Sequence, residues 1–371
     1  MSWLLAFGGF AALVILHEAG HFVVAKAVGM RVERFALFFP PLILKVRRGE
    51  TEYGLGCIPA GGYVRITGMS RHEKIAPDVE HRAYYRQKAW KRVCVIVAGP
   101  AVNLVLAFAI LWVLFAVDGV RATVPVVGEV TTGAPAAGAL RAGDQLLSVA
   151  GQPAFAAGLS PEEAERSVER VQRTVAAHRC AGRQVAGCAA QAPVRMTFLR
   201  EGRQGSIEVT PRHDGQLGRS AVGLRFATDS ISVGIGSAAA RSGTTMWTIT
   251  TTTVDGIVRL FHDSQARRDV SGVVGSYDVV RRSFEFDTIQ AIRLLAVISL
   301  SLAIVNLFPI LPLDGGHVFW ALAEKLRGRP TSLRVMQGSG LVGILFVGFL
   351  FAVGLHADIG RLTSGEGFGL R

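Results

Sequence analysis

Lysine is scarce in this chain: there are six among 371 residues, and none from 118 to 288. The gap bears on the formal net charge of +12, which taken alone would suggest a nucleic-acid partner. The cations are unevenly placed. Residues 31–92 hold thirteen Lys and Arg, and a short stretch near the C-terminus carries Lys325, Arg327, Arg329 and Arg334. All six lysines lie in or beside these two regions. That is the asymmetry of cytoplasmic loops in a membrane protein, and it argues against nucleic acid. The 118–288 segment is still rich in arginine, but long domains cross a membrane largely regardless of charge. Internal repeats and low-complexity tracts are also missing, which excludes solenoid and array architectures.

Long apolar runs, by contrast, are present. Half the residues are hydrophobic and the mean hydropathy is positive, which points to membrane integration. Four segments, at about 2–28, 93–117, 289–313 and 335–356, are long enough to cross roughly 30 Å of hydrocarbon. The third is interrupted near its end by Pro309 and Pro312. The first is too long and too polar at its centre for a cleaved signal peptide, and no small-residue cleavage site follows it, so it is expected to be retained. With the lysine-bearing loops inside, four spans place both termini and the 118–288 segment outside the cytoplasm.

Two fragments at opposite ends carry chemistry. His17-Glu18-Ala19-Gly20-His21 is an H-E-x-x-H motif. On a helix, His17 and His21 sit one turn apart on one face and can hold one zinc ion, with Glu18 beside them to take a proton from water. A match in a soluble helix would be weak, but this one lies inside an apolar run, where ionisable residues are functional by default. Leu313-Asp314-Gly315-Gly316-His317 follows another apolar run. Asp-Gly-Gly is ordinary turn chemistry, yet a turn at membrane depth is costly unless it is buried against protein. One shared metal explains both fragments.

Between the first two spans, residues 31–39 alternate as a strand and Pro40-Pro41 is expected to break it. Residues 42–46 and 51–58 read as a hairpin around Arg48-Gly49-Glu50, followed by Gly61-Gly62, where backbone can approach closely. Residues 70–90 are polar and read as a surface helix or loop. Asn103, in the second span, is a hydrogen-bonding group that should face the protein interior, either in helix packing or lining the site. Strands are expected at 126–130, 145–150, 194–199 and 206–210, with a helix at 160–177 opened by Ser160-Pro161-Glu162-Glu163. Residues 214–233 read as a linker and 235–262 as an amphipathic membrane-surface helix. Cys57 and Cys94 fall in the cytoplasmic and membrane parts, whereas Cys180 and Cys188 lie in the exported segment, where a bridge between them is expected.

Together with Gly99-Pro100-Ala101-Val102-Asn103 and Asn306-Leu307-Phe308-Pro309-Ile310-Leu311-Pro312-Leu313-Asp314-Gly315-Gly316, the first motif resembles the site-2 proteases, intramembrane zinc metalloproteases. Ala139-Leu140-Arg141-Ala142-Gly143-Asp144 is similar to a bacterial PDZ domain, which places the resemblance in the bacterial regulator-of-sigma-factor branch. The resemblance implies His17, His21 and Asp314 as ligands of one zinc ion per chain and Glu18 as general base. It further implies Asn306 in substrate engagement, and a membrane-associated β-hairpin at 42–66 that pairs with extended substrate. Gly54, Leu55, Gly56, Cys57 and Ile58 are the expected pairing edge, and Asn103 joins the expected substrate-binding set. The chain departs from the pattern in having one PDZ unit, an insert at 160–188, and Ser271-Gly272-Val273-Val274-Gly275 in place of Gly-Pro-x-Gly. His317 is left out of the ligand set, since three protein ligands already make a catalytic zinc site.

The expected architecture is a polytopic α-helical membrane protein with four transmembrane helices, a membrane-associated β-hairpin and one extracytoplasmic PDZ-like α+β domain. Its parts are residues 1–121 with the first two spans, 122–213 as the PDZ domain, 214–288 as linker and amphipathic helix, and 289–371 with the last two spans. The expected function is zinc-dependent cleavage within transmembrane segments of single-pass proteins, such as anti-sigma factors or remnant signal peptides, in a bacterial inner membrane. The lipid bilayer and an upstream site-1 protease complete the implied partners. A non-enzymatic scaffold or chaperone with a PDZ module and structural zinc is the rival reading. Glu18 argues against it, because a structural zinc needs no base.

Overall fold

The computed structural model describes residues 1–69, 73–329 and 331–364; positions 70–72 of the polar 70–90 stretch lie outside them. The chain divides into two compact units, Met1–Val113 with Ala240–Arg371, and Leu114–Ala239. Among the described residues, four helices are long and apolar enough to cross a membrane.

Helix α1 spans Ser2–Ala27. Trp3, Leu4, Leu5, Phe7 and Val23 are exposed on it while His17 and His21 are buried. This is the inverse of a soluble helix and suits a lipid surround. Strands β1 (Val32–Arg48) and β2 (Thr51–Ile66) follow. Pro40-Pro41 does not end β1; the register skips there, from Phe39↔Ile58 to Leu42↔Gly56. Proline has no N–H to offer a ladder, and an irregularity of this kind is where a strand tolerates it.

The pairing is more folded than a hairpin. Residues 34–37 face 52–55 on one side and 62–65 on the other, while 52–55 also face 44–47. The ribbon therefore doubles back into four short segments in the order 42–48, 51–56, 34–37, 62–66. This corrects the expected pairing edge. Gly54 and Leu55 have partners on both sides, Lys45 and Leu44 on one and Ala36 and Leu37 on the other. Gly56 opposes Leu42, and a Cβ on it would fall 2.2 Å from the Phe39 carbonyl oxygen. The strand edges lie instead at 42–48 and 62–66.

The sheet is fastened to α1 at its turn. Glu50 accepts from Lys26 Nζ at 2.7 Å and from both terminal nitrogens of Arg82 at 2.6 and 2.8 Å. The Arg82 guanidinium, with help from Lys26, holds the Glu50 carboxyl down to about 2. Two 3₁₀ turns, Glu80–Arg82 and Tyr84–Arg86, carry the 73–90 stretch, and Ala83 and Tyr84 are buried. Helix α2 (Ala89–Val117) contains Pro100. It meets α1 nearly backbone to backbone, since a Cβ at Gly20 would fall 2.5 Å from the Ala98 carbonyl oxygen. Ala25, Met30, Val32, Ile66, Tyr84, Val95 and Ile96 form the core between α1, the sheet and α2.

The second unit is α+β. Its strands are β3 (Val120–Val130), β4 (Gln145–Val149), β5 (Gln152–Pro153), β6 (Val194–Arg200), β7 (Arg203–Val209), β8 (Arg212–Asp214), β9 (Arg219–Ala221) and β10 (Leu224–Ile231). The main sheet has the order β10-β3-β4-β6-β7, with β5 beside β4. Helix α3 (Pro161–Ala176) starts at a capping box between Ser160 and Glu163 and buries Ala164, Val168, Val171 and Val175 at helical spacing. Val127, Leu146, Val149, Val194, Met196 and Phe198 complete the core. Residues 214–233 are not a linker: they supply β9 and β10, and β10 pairs with β3 along its length. That pairing joins the two ends of the unit, a long-range contact that local alternation does not reveal. Cys180 and Cys188 are joined by a disulfide, and the loop it closes hydrogen-bonds to β8 through His213, whose N–H donates to the Cys188 carbonyl at 2.9 Å.

The first unit resumes with α4 (Ile235–Arg259), α5 (Ser264–Asp269) and α6 (Val273–Phe286). Helices α5 and α6 were not anticipated. The 271–275 stretch has a structural job: Gly272 and Gly275 donate their N–H groups, at 2.9 Å each, to the buried carboxylate of Asp358. Helix α7 (Thr288–Asn306) stops before Pro309 and Pro312, α8 runs Asp314–Arg327, and α9 runs Leu333–Ser364, the last carrying Asp358. Gly315 and Gly316 let the 307–313 loop fold back onto the first turn of α8. A Cβ at Gly315 would fall 2.2 Å from the Leu307 carbonyl oxygen. A largely buried ion pair at 2.9 Å, Arg92 with Glu324, ties α2 to α8.

Candidate metal centre and active site

Residues far apart in sequence meet in the first unit. His17 and His21 project from one face of α1, and Asp314 stands in the first turn of α8. Asp314 Oδ2 lies 3.2 Å from His17 Nε2 and 3.3 Å from His21 Nε2, and the two Nε2 atoms are 3.3 Å apart. Both histidines are buried, and the carboxylate is nearly so. Two imidazole nitrogens and one carboxylate oxygen, all within 4.8 Å of one another, make the donor set of a catalytic zinc site with one position open.

Three further observations test the fit. Asp314 Oδ2 is buried with no hydrogen-bond donor assigned to it, as expected of an oxygen meant for a cation. His21 Nδ1 lies 2.8 Å from the Val95 carbonyl oxygen; an N–H donated there leaves Nε2 with its lone pair free, the usual arrangement of a metal-binding histidine. Gly99 leaves the necessary room. A Cβ there would sit 2.2 Å from His21 Nε2 and 2.9 Å from His17 Nε2. The residues present therefore suit zinc.

Glu18 is half-buried and lies under the 62–66 segment, close enough that a Cβ at Gly62 would fall 2.1 Å from its Cγ and 3.0 Å from Oε1. Gly62 is thus the point where a strand edge reaches the carboxylate. Asn103 is fully buried; its amide nitrogen lies 3.4 Å from His17 Nδ1, and its oxygen has no partner. Solvent does not reach it, and it stands beside His17. Asn306 closes α7, half-buried, at the point where the chain leaves the helix. Cys57 and Ile58 are exposed on the sheet, and Gly54 and Leu55 are inside its pairing. The importance of Gly62, Gly99 and the Val95 carbonyl was only half visible in the sequence. The glycines signal close approach, but not to which group.

Comparisons with known proteins give the family. The model of Peptidase family M50 matches residues 5–350. The chain is 31% identical to zinc metalloprotease Rip1 of Mycolicibacterium smegmatis, over 90% of this chain and 88% of that protein. It is 30% identical to zinc metalloprotease Rip1 of Mycobacterium tuberculosis, over 91% and 92%. It is 28% identical to regulator of sigma-E protease RseP of Salmonella typhimurium, over 94% and 96%. With the match running from the first helix into the last, the chain belongs to peptidase family M50, the site-2 type metalloproteases.

Proposed function

We propose that this chain is an intramembrane endopeptidase that uses one zinc ion to cut peptide bonds within the transmembrane segments of single-pass proteins. One observation carries the reading: His17 and His21, on a helix long and apolar enough to cross a membrane, converge with Asp314 of α8 beside Glu18. His17, His21 and Asp314 would hold the zinc ion, which when bound would supply polarisation of the scissile carbonyl and activation of water near neutral pH. Glu18 takes the proton of the attacking water and passes it to the leaving amine. Asp314 and the two histidines hold their geometry through α8, α1 and the Val95 carbonyl.

A helical substrate protects its own peptide bonds and must be unwound locally. The 62–66 edge, which reaches Glu18 at Gly62, receives it by strand addition. Main-chain pairing tolerates varied side chains, so sequence preference is loose. Asn306, at the end of α7, engages the substrate. The Leu114–Ala239 unit is read as a PDZ domain that selects substrates, either by a carboxyl terminus left by an upstream site-1 protease or by excluding bulky outer domains. The disulfide in this unit and the position of the lysines support a bacterial inner-membrane topology with both termini and this unit on the extracytoplasmic side. Anti-sigma factors and remnant signal peptides are the substrate classes, in keeping with relatives named as regulators of sigma-E protease.

The test is zinc content together with cleavage of a single-pass substrate, wild type against Glu18→Gln. The mutant should keep its zinc and lose about 10²–10⁴-fold or more in rate. Near-normal turnover would remove Glu18 as the base.

A further inference from the structure

We infer that Asn103 is a positioning residue for the metal centre, its side-chain oxygen accepting the Nδ1–H of His17 and so fixing which nitrogen of that ring faces zinc. The inference rests on the zinc reading above and deepens it.

The argument starts from one stripe of α2. Val95, Gly99 and Asn103 are spaced four residues apart and so share a helix face, which is turned toward α1. The Val95 carbonyl meets His21 Nδ1, Gly99 stands against both Nε2 atoms, and the Asn103 amide meets His17 Nδ1. The two helices run past each other so that successive turns of α2 address successive histidines of α1.

At His21 the chemistry is settled by the partner. A backbone carbonyl only accepts, so Nδ1 carries the proton and Nε2 is free for metal. His17 has the same need. If Nε2 binds zinc, Nδ1 carries the proton and requires an acceptor, and the ring is buried away from water. The group beside it, at 3.4 Å, is Asn103. With Nδ2 toward the ring, two donors would face each other, and the Asn103 oxygen is left buried without a partner. A half-turn of the amide costs no space, because its two ends are alike in shape, and no interaction holds the oxygen where it is. The turn gives the Nδ1–H its acceptor. Asn103 is then held in place from its other side, where Ser299 Oγ, also buried, donates to the Asn103 backbone carbonyl at 3.0 Å.

The alternatives within the site are excluded by position. Asn103 is too buried to touch a substrate. Simple helix packing would be served as well by leucine, which branches at the same atom and has a higher helix propensity. The distinguishing property is the acceptor oxygen.

The experiment is zinc affinity, measured by competition with a chromophoric chelator on the detergent-purified full-length chain, for wild type, Asn103→Asp, Asn103→Leu and Asn103→Ala. Asp keeps an acceptor oxygen in the same place and lacks the amide donor. The expected result is zinc binding by Asn103→Asp no weaker than wild type, and weakening by roughly 10–100-fold in Asn103→Leu and Asn103→Ala. Asn103→Ala removes the amide without filling its place, so it decides if the leucine variant does not fold. Wild-type affinity in the folded Leu or Ala variant overturns the inference, as does an Asp variant as weak as they are. If the wild-type chain itself takes up no zinc, the zinc reading fails first. If it binds zinc and the variants bind equally, only the role of Asn103 falls.

Discussion

Gly99 stands against the imidazole of His21, so close that a methyl group there would lie 2.2 Å from Nε2. Any side chain at this position occupies space that His17 Nε2 and His21 Nε2 would need in order to hold a metal ion. Glycine in a helix interior ordinarily costs about 0.5–1 kcal/mol relative to alanine, so Gly99→Ala should favour the helix in isolation. The expected outcome is nevertheless loss of zinc and of cleavage, because the steric demand falls on the metal site. Metal analysis of the purified variant checks this; full zinc occupancy would show that the site has more room than the distances allow.

The long apolar helices and the two fragments that meet at the candidate site were legible because each rests on a local pattern: apolar length, H-E-x-x-H spacing, and Asp-Gly-Gly after a proline-broken helix. What was not legible depends on contacts made across the chain. The 51–58 segment looked like an edge because its neighbour at 34–37 lies beyond an intervening strand and two prolines. Residues 214–233 looked like a linker because β10 finds its partner, β3, about a hundred positions earlier. Asn103 could be placed in an interior but not beside His17, since four-residue spacing on α2 says nothing of which residue on α1 stands opposite.

Asp144 makes the second unit sensitive to acid. Its side chain is buried, which raises its pKa, but hydrogen bonds from Arg200 at 2.6 and 2.7 Å and from the Arg141 N–H at 2.8 Å outweigh burial and leave it below the usual aspartate value. A carboxyl with a lowered folded-state pKa contributes stability that is present above its unfolded value, about 3.9, and is lost as pH falls through the folded value. The protection of β4 and β6 amides against hydrogen exchange, taken relative to the intrinsic rate at each pH, should therefore fall below about pH 4. Asn at 144 should cost roughly 1–3 kcal/mol at neutral pH by leaving Arg200 without its carboxylate, and should flatten the acid dependence. An unchanged profile in Asp144→Asn would assign the acid sensitivity to other groups.

The Cys180–Cys188 bridge closes a short loop that leans on β8. Its removal should lower the stability of that loop by about 2–3 kcal/mol in the chain-entropy picture. Catalysis should survive, because His17, Glu18, His21 and Asp314 stand on other elements. Alkylation before and after reduction, read by mass spectrometry, should find 180 and 188 oxidised in cells and Cys57 and Cys94 free. Free thiols at 180 and 188 would remove the bridge, and with it one support for an exported location.

The 62–66 segment is where a substrate strand should add, and proline tests it. Successive residues of an antiparallel strand point their N–H groups to opposite sides. Of Tyr63 and Val64, one therefore donates into the ladder with 34–37 and the other donates outward, away from its single partner strand. Proline at the outward position removes one hydrogen bond to an incoming strand and leaves the internal ladder whole. A main-chain hydrogen bond is worth about 0.5–1.5 kcal/mol, so cleavage should fall roughly three- to tenfold while zinc content and melting temperature hold. Proline at Leu55, which has partners on both sides, should instead damage the sheet itself and lower stability. Tyr63→Pro and Val64→Pro variants that both fold, hold zinc and cut several helical substrates at the wild-type rate would mean that substrate does not pair with this edge.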